Sequence, residues 1–365
     1  MIRSFPMTPW ILMTYFRDHE GIRMKITTIK KQLLRPLLAA ALLGQSALCL
    51  AAGPAPITMC GFMLMGEGGP EHQLLLDYQT AALQWGVKIE IKSYMNEKIV
   101  AEELKSGVCD IANMTSMQAR NFNKFTGTLD APASMPTYEH LRTVLQTLAK
   151  PSAAKYMRDG EFEVVGVQPA GAVYIFSNDK NVRSLSDLAG KRMGVMDSMP
   201  EMRQLVVDMG MTPVSSSLTN LFQKFNNKAI DITGGPAVVY EMMELHKGLE
   251  PDGGILNEPI LQGNMQFVAR WNKLPEGYAQ SSREHFIRNF DQSLEFIRTA
   301  EDNIPKDLWI PLQEDKRAEY NAQTRQLRLA FRDSNIYDAK MLTLLRKIRC
   351  KIDGTRAECT APDAE

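Results

Sequence analysis

The stretch "RMGVMDSMPEMRQLVVDMGMTPVSSSLTNLFQKFNNKAIDITGGP", Arg192 to Pro236, alternates short apolar runs with amphipathic ones. The runs RMGVMD, TPVSS and AIDIT have the length and apolar content of strands, and the runs between them have helical spacing. Gly, Pro, Asn or Ser marks each turn. Strands that alternate with helices predict a parallel sheet with helical crossovers. The predicted fold class is therefore α/β.

A second alternating set precedes this stretch. Its predicted strands are ITMCGFML, VKIEIKSY and VCDIANMT, and its helices begin at Pro70 and after the capping residue Asn96. In such a sheet the first and third strands are often neighbours, in the order 2-1-3. The extended segments VYIFSN and NMQFVARW connect the two sets. The sequence therefore predicts two α/β lobes linked by crossing strands, with parallel-type sheets flanked by helices.

The domain boundaries are predicted from the same segments. We expect a hinge near Val173–Ser177 and Gln266–Ala269, where the crossing strands connect the lobes. The residues from Leu274 onward have helical apolar stripes, which indicate helices that pack on the first lobe and the hinge. The predicted parts are an upstream segment and signal peptide (1–52), the first part of lobe I (53–173), lobe II (174–267) and a helical return with a disulfide-closed tail (268–365).

Segment 24–52 has the three-part layout of a secretory signal: a basic start, an apolar run from Leu37 to Leu43, and small residues after it. The apolar run is too short to cross a bilayer comfortably. We therefore expect cleavage near Ala51 or Ala52, export to the periplasm and no membrane span in the mature chain. Charges upstream of this signal indicate that translation starts at Met24.

Removing residues 1–52 takes away 7 Lys/Arg and 2 Asp/Glu, which leaves 35 basic and 40 acidic residues. The mature chain then carries a net charge of about −5, with no long basic run. Nucleic acid is a poor partner for such a surface, because its phosphates attract basic residues.

Four cysteines follow the signal, an even number that predicts two disulfides in an exported chain. Of the three possible connectivities, proximity in sequence favours Cys350 with Cys359, which leaves Cys60 with Cys109. The strand order 2-1-3 would place Cys60 and Cys109 on adjacent strands. No Cys-x-x-Cys or Cys/His cluster has metal-ligand spacing, so the sequence predicts no metal and no cofactor.

No catalytic motif recommends an enzyme. The chain lacks Gly-x-Ser-x-Gly, His-Glu-x-x-His and the phosphate loop Gly-x-x-x-x-Gly-Lys-Ser/Thr. His72, His140, His246 and His285 lie in helix-like segments without a neighbouring nucleophile. An exported hydrolase remains an alternative only because catalytic triads converge in space rather than in sequence.

The ends of the predicted strands carry the candidate site. Open α/β sheets bind small molecules at the carboxyl ends of their strands. The loops MLMGEGGPE, NMTSMQAR and VMDSMPE, the outward crossing strand and the turn TGGPA follow this rule. Each residue could equally serve a solvated turn or a helix cap. The candidate ligand-binding residues are Glu67, Thr115, Arg120, Tyr174, Asp197, Ser198, Gly234 and Gly235.

The glycine turn TGGPA is a poor phosphate cradle. A dinucleotide loop has the pattern Gly-x-Gly-x-x-Gly, and Pro236 removes a backbone donor that such a cradle would use. We predict instead a strand-to-helix turn, with Pro236 in the first helical turn and the two glycines lining a cleft.

The segment SLSDLAGKRMGV, Ser184 to Val195, and the stretch after it resemble the solute-binding subunits of tripartite (TRAP-type, DctP-like) transporters. A closer resemblance, carried by ARNFNKFTGTLDAP from Ala119 to Pro132, is to the exported solute-binding proteins that include the AdeT-like proteins. The resemblance implies a two-lobe periplasmic-binding-protein-like fold that binds a small-molecule solute, with a membrane transporter subunit as partner. The residues that match the first pattern are Asp187, Leu188, Gly190, Gly210, Pro213, Val214, Asp231 and Pro236.

One departure from the family pattern concerns ligand charge. The family places a carboxylate-clamping arginine where this sequence has Gly194. Arg192 lies on the same strand face but nearer the strand's start. Arg120 is a substitute clamp for an anion, whereas Glu67 and Asp197 favour a ligand with an amine or many hydroxyls.

These observations predict a periplasmic protein that captures a small molecule by hinge closure, for a TRAP-like or related uptake system. The alternative, from the efflux label attached to AdeT-like proteins, is a periplasmic accessory protein that affects drug resistance without solute uptake. A pump subunit needs membrane-spanning helices, and no apolar stretch of about 20 residues follows the signal.

Overall fold

A computed structural model describes residues 56–197, 199–360 and 365. The signal segment and Ser198 lie outside these residues. The strands are β1 Ile57–Phe62, β2 Ile89–Tyr94, β3 Ile111–Thr115, β4 Arg158–Asp159, β5 Phe162–Ser177, β6 Arg192–Met196, β7 Thr212–Ser216, β8 Ile232–Pro236, β9 Gly254–Arg270 and β10 Trp309–Ile310. The helices are α1 Pro70–Leu83, α2 Glu97–Ser106, α3 Ser116–Ala119, α4 Lys124–Gly127, α5 Tyr138–Leu148, α6 Ala154–Met157, α7 Pro200–Asp208, α8 Leu218–Asn226, α9 Val239–Met242, α10 His246–Leu249, α11 Tyr278–Arg288, α12 Phe290–Asn303, α13 Glu314–Asp333 and α14 Ala339–Ile352.

The main strands form a sheet in the order β2-β1-β3-β9-β5-β8-β6-β7. Strands β1 to β3 are parallel to one another, as are β6 to β8, whereas β5 and β9 run antiparallel to their neighbours. The order β2-β1-β3 confirms the sequence prediction for the first alternating set. Helices cover both sides of the sheet, because each face of its strands carries apolar residues.

Two long strands divide the sheet into two halves. We call β1 to β3, with 162–168 of β5 and 265–270 of β9, the first half. The second half comprises β6 to β8, with 173–177 of β5 and 254–261 of β9. The residues between them, 169–172 and 262–264, form the junction, where β5 and β9 pair with each other across one of their three register shifts. The predicted hinge segments Val173–Ser177 and Gln266–Ala269 therefore lie on either side of the junction, one in each half.

The two predicted disulfides are confirmed. Cys60 of β1 is bonded to Cys109, just before β3, with their Cα atoms 5.8 Å apart. Cys350 at the end of α14 is bonded to Cys359 in the tail, with a Cα separation of 5.6 Å. The first bond fixes two adjacent strands, and the second fixes the tail against the last helix.

The glycine turn differs from its prediction. Gly234, Gly235 and Pro236 are the last residues of β8 itself, and the next helix begins only at Val239. Strand β5 supplies the reason, because it pairs with β8 from Ser177 to Val173 and extends the strand through the glycines. Pro236 therefore ends a strand and does not begin a helix.

Candidate functional site

The strand-end loops of the two halves meet through apolar side chains. Leu64 follows β1, Leu218 begins α8 after β7, and Val238 follows β8. Each of these half-buried side chains packs against the apolar cores of both halves. Met202 and Leu205 of α7 also pack against the core of the first half. Leu64 lies in one of the loops that the sequence named, whereas Leu218 and Val238 lie outside them. Together these side chains form an apolar contact surface between the halves.

The two acidic candidates lie at exposed loop positions. Glu67 is exposed in the turn after β1, and Asp197 is exposed directly after β6. The hydroxyl of Ser215 donates a hydrogen bond to the Asp197 carboxylate. Both carboxylates can reach solvent. Ser198, the next candidate, lies outside the described residues.

Thr115 holds a buried carboxylate. Its hydroxyl donates to Glu97 Oε2 at 2.7 Å and its backbone N–H donates to the same oxygen at 3.3 Å. Burial raises the pKa of Glu97, and the hydrogen bonds from Thr115 oppose this increase. The Thr115 oxygen also accepts from the backbone of Gln118 and caps α3. These contacts engage Thr115 within the first half.

Arg120 is engaged in the same way. Its guanidinium binds Asp130 at 2.5 Å, with the two side chains 10% and 2% exposed, and lies 4.9 Å from the ring centre of Tyr337. A ligand carboxylate would have to compete with this ion pair. Arg120 is therefore poorly placed to replace the family's anion clamp.

Tyr174 and Gly235 belong to the core of the second half. They are paired across β5 and β8, and the Tyr174 hydroxyl donates to Glu301 at 3.0 Å. Burial, and then the charge of Glu301, raises the pKa of Tyr174. A Cβ added at Gly235 would lie 2.9 Å from Val239 Cγ2 and 3.2 Å from the Phe222 ring. Gly235 thus lets the helices pack closely against the strand.

Gly234 lies on the opposite face of β8 from Gly235, because successive strand residues alternate sides. It is half-buried, and a Cβ there would meet only Val173 Cγ1, at an ordinary contact distance of 3.5 Å. The structure therefore separates the two glycines that the sequence grouped together.

The position of the family's arginine has no room for a side chain. A Cβ at Gly194 would lie 2.3 Å from Leu221 Cδ1 and 2.8 Å from Ile230 Cδ1. Arg192, at the start of β6, binds Asp231 at 2.6 Å, and its hydrogen bonds hold the pKa of Asp231 well below the usual range. Arg192 therefore lies at the end of the strand away from Asp197, as the sequence predicted.

The structure adds a group of polar residues that the sequence analysis missed. Gln262, Asn264 and Gln266 share one face of β9, and they are 1%, 2% and 0% exposed. Gln262 and Asn264 lie in the junction, and Gln266 is the second residue beyond it. The alternating amides in LQGNMQ were the available signal, because a strand rarely buries three amides on one face without a partner for them.

Across the described ranges, no group of three or more His, Cys, Asp or Glu side chains is arranged to hold a metal ion. No helix in the described part of the chain is both long and apolar enough to cross a bilayer.

Comparison with known proteins identifies the family and the fold. Residues 71–364 match the family model described as "Solute-binding protein AdeT 1/2". The chain is 34% identical over 299 residues to the probable solute-binding protein AdeT1 of Acinetobacter baumannii, covering 82% of this chain and 98% of that protein.

Solved structures with the same fold include TRAP periplasmic solute-binding proteins. One, from Desulfovibrio salexigens with bound orotic acid, has a TM-score of 0.66 and 16% identity, covering 81% of this chain and 99% of that one. Another, from Haemophilus influenzae with bound L-gulonate, has a TM-score of 0.61 and 17% identity, covering 82% and 98%. These likenesses confirm the predicted two-lobe α/β fold. The chain belongs to the AdeT 1/2 family of solute-binding proteins.

Proposed function

We propose that this solute-binding protein captures one small molecule between its two lobes and releases it to a membrane transporter subunit of a TRAP-like or related uptake system. The single observation that carries the proposal is the architecture of the junction. Strands β5 and β9 run through both halves, and between the halves they pair only with each other, across one of their three register shifts. Leu64, Leu218 and Val238 lie where the strand-end loops of the two halves touch.

Closure would be a population shift. A ligand that contacts both lobes only in the closed form stabilises that form by its differential affinity. A few residues that absorb backbone rotation are enough for such a hinge. The junction residues 169–172 and 262–264 are the proposed hinge, because β3 and β8 do not pair with the crossing strands there.

Recognition of the ligand would differ from that of an acid clamped by arginine. Gly194 stands where the family has its arginine, and Leu221 occupies the space beside it. Arg120 and Arg192 are both paired with aspartates. These contacts favour a ligand that is neutral or cationic over a carboxylate held in the family's usual manner. Thr115, Tyr174, Gly234 and Gly235 would then shape the lobes around the ligand.

We also propose export through a cleavable signal peptide. The basic and apolar segment between residues 24 and 52 supports this reading, together with a family of solute-binding proteins whose structural neighbours are periplasmic. N-terminal sequencing of the protein recovered from a periplasmic extract tests it. We expect a mature N-terminus at or next to Gly53.

Native mass spectrometry of the freshly purified mature protein tests solute capture. We expect a mass excess from a co-purified small molecule, and a smaller radius of gyration by X-ray scattering when that molecule is returned to the stripped protein. No mass excess, no thermal shift with a broad metabolite library and no compaction would contradict solute capture. That result would favour the periplasmic accessory role.

The exposed carboxylates provide a narrower test. If the ligand is cationic, Glu67→Ala and Asp197→Ala should each weaken its binding in calorimetry, with the loss reduced by added salt. Unchanged affinity in both variants would exclude these carboxylates as ligand contacts.

A further inference from the structure

The amide side chains of Gln262, Asn264 and Gln266 form a row along one face of β9, which we call the amide row. Segment 126–134, which includes the end of the AdeT-like motif, contacts β9 at both ends of this row. Gln266 Nε2 donates to the carbonyl of Thr126 at 2.8 Å, and the N–H of Ala133 donates to the carbonyl of Ile260 at 2.7 Å. The amide row is therefore enclosed where the two halves of the sheet join.

The hydrogen bonds fix the direction of the Gln266 and Asn264 amides. Gln266 Nε2 faces two acceptors, Thr126 O and Asn264 Oδ1, the second at 3.1 Å. Asn264 Nδ2 in turn donates to the backbone carbonyl of Gln262 at 3.3 Å. Rotating either amide by half a turn would oppose acceptor to acceptor, so the carbonyl oxygen of Gln266 must point away from Thr126.

Two oxygens of the row lack a partner. Gln262 Oε1 and Gln266 Oε1 are buried, and neither accepts a hydrogen bond from a described residue. A buried acceptor without a donor costs free energy that corresponds to roughly a five- to hundredfold change in an equilibrium constant. Buried polar groups in proteins are nearly always paired. Other described side chains, such as Asn226 and Thr233, also have an unpaired buried atom, but Gln262 and Gln266 lie on one strand face at and beside the junction.

We propose that the amide row is part of the solute site, and that its two free oxygens accept hydrogen bonds from an N–H or O–H group of the bound solute. This inference rests on the proposed capture of a solute between the lobes and adds the chemistry of recognition. Opening at the junction would bring solute or water to Gln262, and closure around a donor-bearing solute would satisfy its oxygen. Closure of the lobes without a bound solute leaves this oxygen unpaired.

The row selects a class of ligand. The hydrogen bonds of Gln266 leave its free oxygen as an acceptor, so a carboxylate or another anion with acceptors alone gains nothing from that oxygen. Amines, polyols and primary amides supply the missing donors. A site built to hydrogen-bond a donor also rejects analogues without one, because its own polar groups are then left unpaired.

The test compares Gln262→Met with the wild-type mature protein, and Gln168→Met serves as the matched control. Methionine keeps the length of glutamine and removes the oxygen. Gln168 lies on the neighbouring crossing strand beside the junction, is 8% exposed and has no buried orphan atom. Gln262→Leu provides a second apolar variant, and circular dichroism checks that each variant is folded.

Two measurements are made on each protein. Ligand-observed NMR screens a pool of amines, polyols and primary amides against acetate, pyruvate and nitrate as acceptor-only probes. Thermal unfolding is measured without added ligand. We expect wild-type hits among the donor-bearing probes, about tenfold weaker binding of those hits in Gln262→Met, and no loss in Gln168→Met. We also expect the Tm of ligand-free Gln262→Met to rise by about 2 °C because the orphan oxygen is gone.

The outcomes separate this inference from the proposed function. Hits that persist undiminished in Gln262→Met and Gln262→Leu overturn the role of the amide row, while solute capture stands. Hits confined to the acceptor-only probes overturn the donor class. Absence of any donor-bearing hit in the wild type overturns it as well, whatever the Tm values. A Tm that falls or stays the same in both Gln262 variants shows that the oxygen is already satisfied, which also contradicts the proposal.

Discussion

Two buried polar clusters bind the same segment, 126–134, and they differ in how their polar groups are paired. The arginine cluster, which we define as Arg328, Arg349, Glu358 and Glu365, binds it through the carbonyls of Pro132 and Ser134, at 2.7 Å and 2.9 Å. The amide row binds it through the carbonyl of Thr126. Both clusters are almost fully buried.

The difference lies in how completely each cluster is paired. Arg328 and Arg349 are 1% and 0% exposed, and each guanidinium nitrogen donates to a carboxylate of Glu358 or Glu365 or to a backbone carbonyl. The amide row leaves two acceptors open. Groups that only hold the fold together are expected to be satisfied within it, whereas groups that await a ligand are not. The comparison therefore assigns structure to the first cluster and recognition to the second.

The largest effect is expected when the arginine cluster loses one member. Arg349→Met removes the cation that binds both Glu358 and Glu365 and leaves buried carboxylates with less compensation. We expect the free energy of unfolding, measured with urea, to fall by about 3–5 kcal/mol. Asp252→Asn is the control, because it breaks an ion pair with Lys180 whose side chains are 61% and 72% exposed. Its expected cost is below about 1 kcal/mol. Similar losses in both variants would show that the buried cluster contributes no more to the free energy of unfolding than an exposed ion pair does.

The tail disulfide should come next. Cys350 and Cys359 close a short loop that carries Glu358 into the cluster. The double variant Cys350→Ser/Cys359→Ser is expected to lose about 3 kcal/mol, mainly because the unfolded chain is no longer cross-linked. Urea unfolding of the oxidised and reduced wild type gives a parallel measurement. A loss below about 1 kcal/mol would mean that the ion pairs alone keep the tail in place.

Acid should weaken the arginine cluster in a defined range. Burial raises the pKa of Glu358, but hydrogen bonding to Arg349 and the charges of Arg349, Arg328 and Arg356 outweigh it and hold the pKa at about 2, below the ordinary 4.5. A carboxyl group whose pKa is lowered in the folded state contributes stability that is complete above pH 4.5 and is lost as the pH falls towards 2. We expect a loss of about 2 kcal/mol between pH 6 and pH 3 from this group. The slope in Glu358→Gln should be smaller by this amount, and an equal slope would contradict the assignment.

The sequence predicted the first cluster's covalent frame but not its charges. Four cysteines in an exported chain, with the pair Cys350 and Cys359 close in sequence, were enough to predict the tail disulfide. The arginines are far from their carbonyl partners in the chain, and no local pattern relates Arg328 to Pro132. The α/β order and the crossing strands could be predicted because they follow from local periodicity.

The candidate site was harder to predict for the same reason. Strand ends identified candidate loops, whereas the role of each residue depends on contacts across the fold. Arg120 is paired with Asp130, and the side-chain space of Gly235 is filled by Val239 and Phe222. Gln262 was overlooked because its significance depends on a missing partner, which only the packed structure shows. Pairing between residues distant in sequence thus sets the limit of what the chain alone reveals.

The smallest expected effect is on the free energy of unfolding, which should change in opposite directions when two glutamines of the amide row are replaced. Gln266→Met removes the donor of Thr126 O and Asn264 Oδ1 together with the orphan oxygen, so two lost hydrogen bonds outweigh one relieved acceptor. We expect a loss of about 1 kcal/mol in ligand-free protein, against a small gain in Gln262→Met, whose oxygen has no partner to lose. Urea unfolding of both variants and of their double mutant measures the two effects and their coupling. If both variants lose stability, Gln262 has a partner in solution, and the contrast between a satisfied cluster and an open row no longer holds.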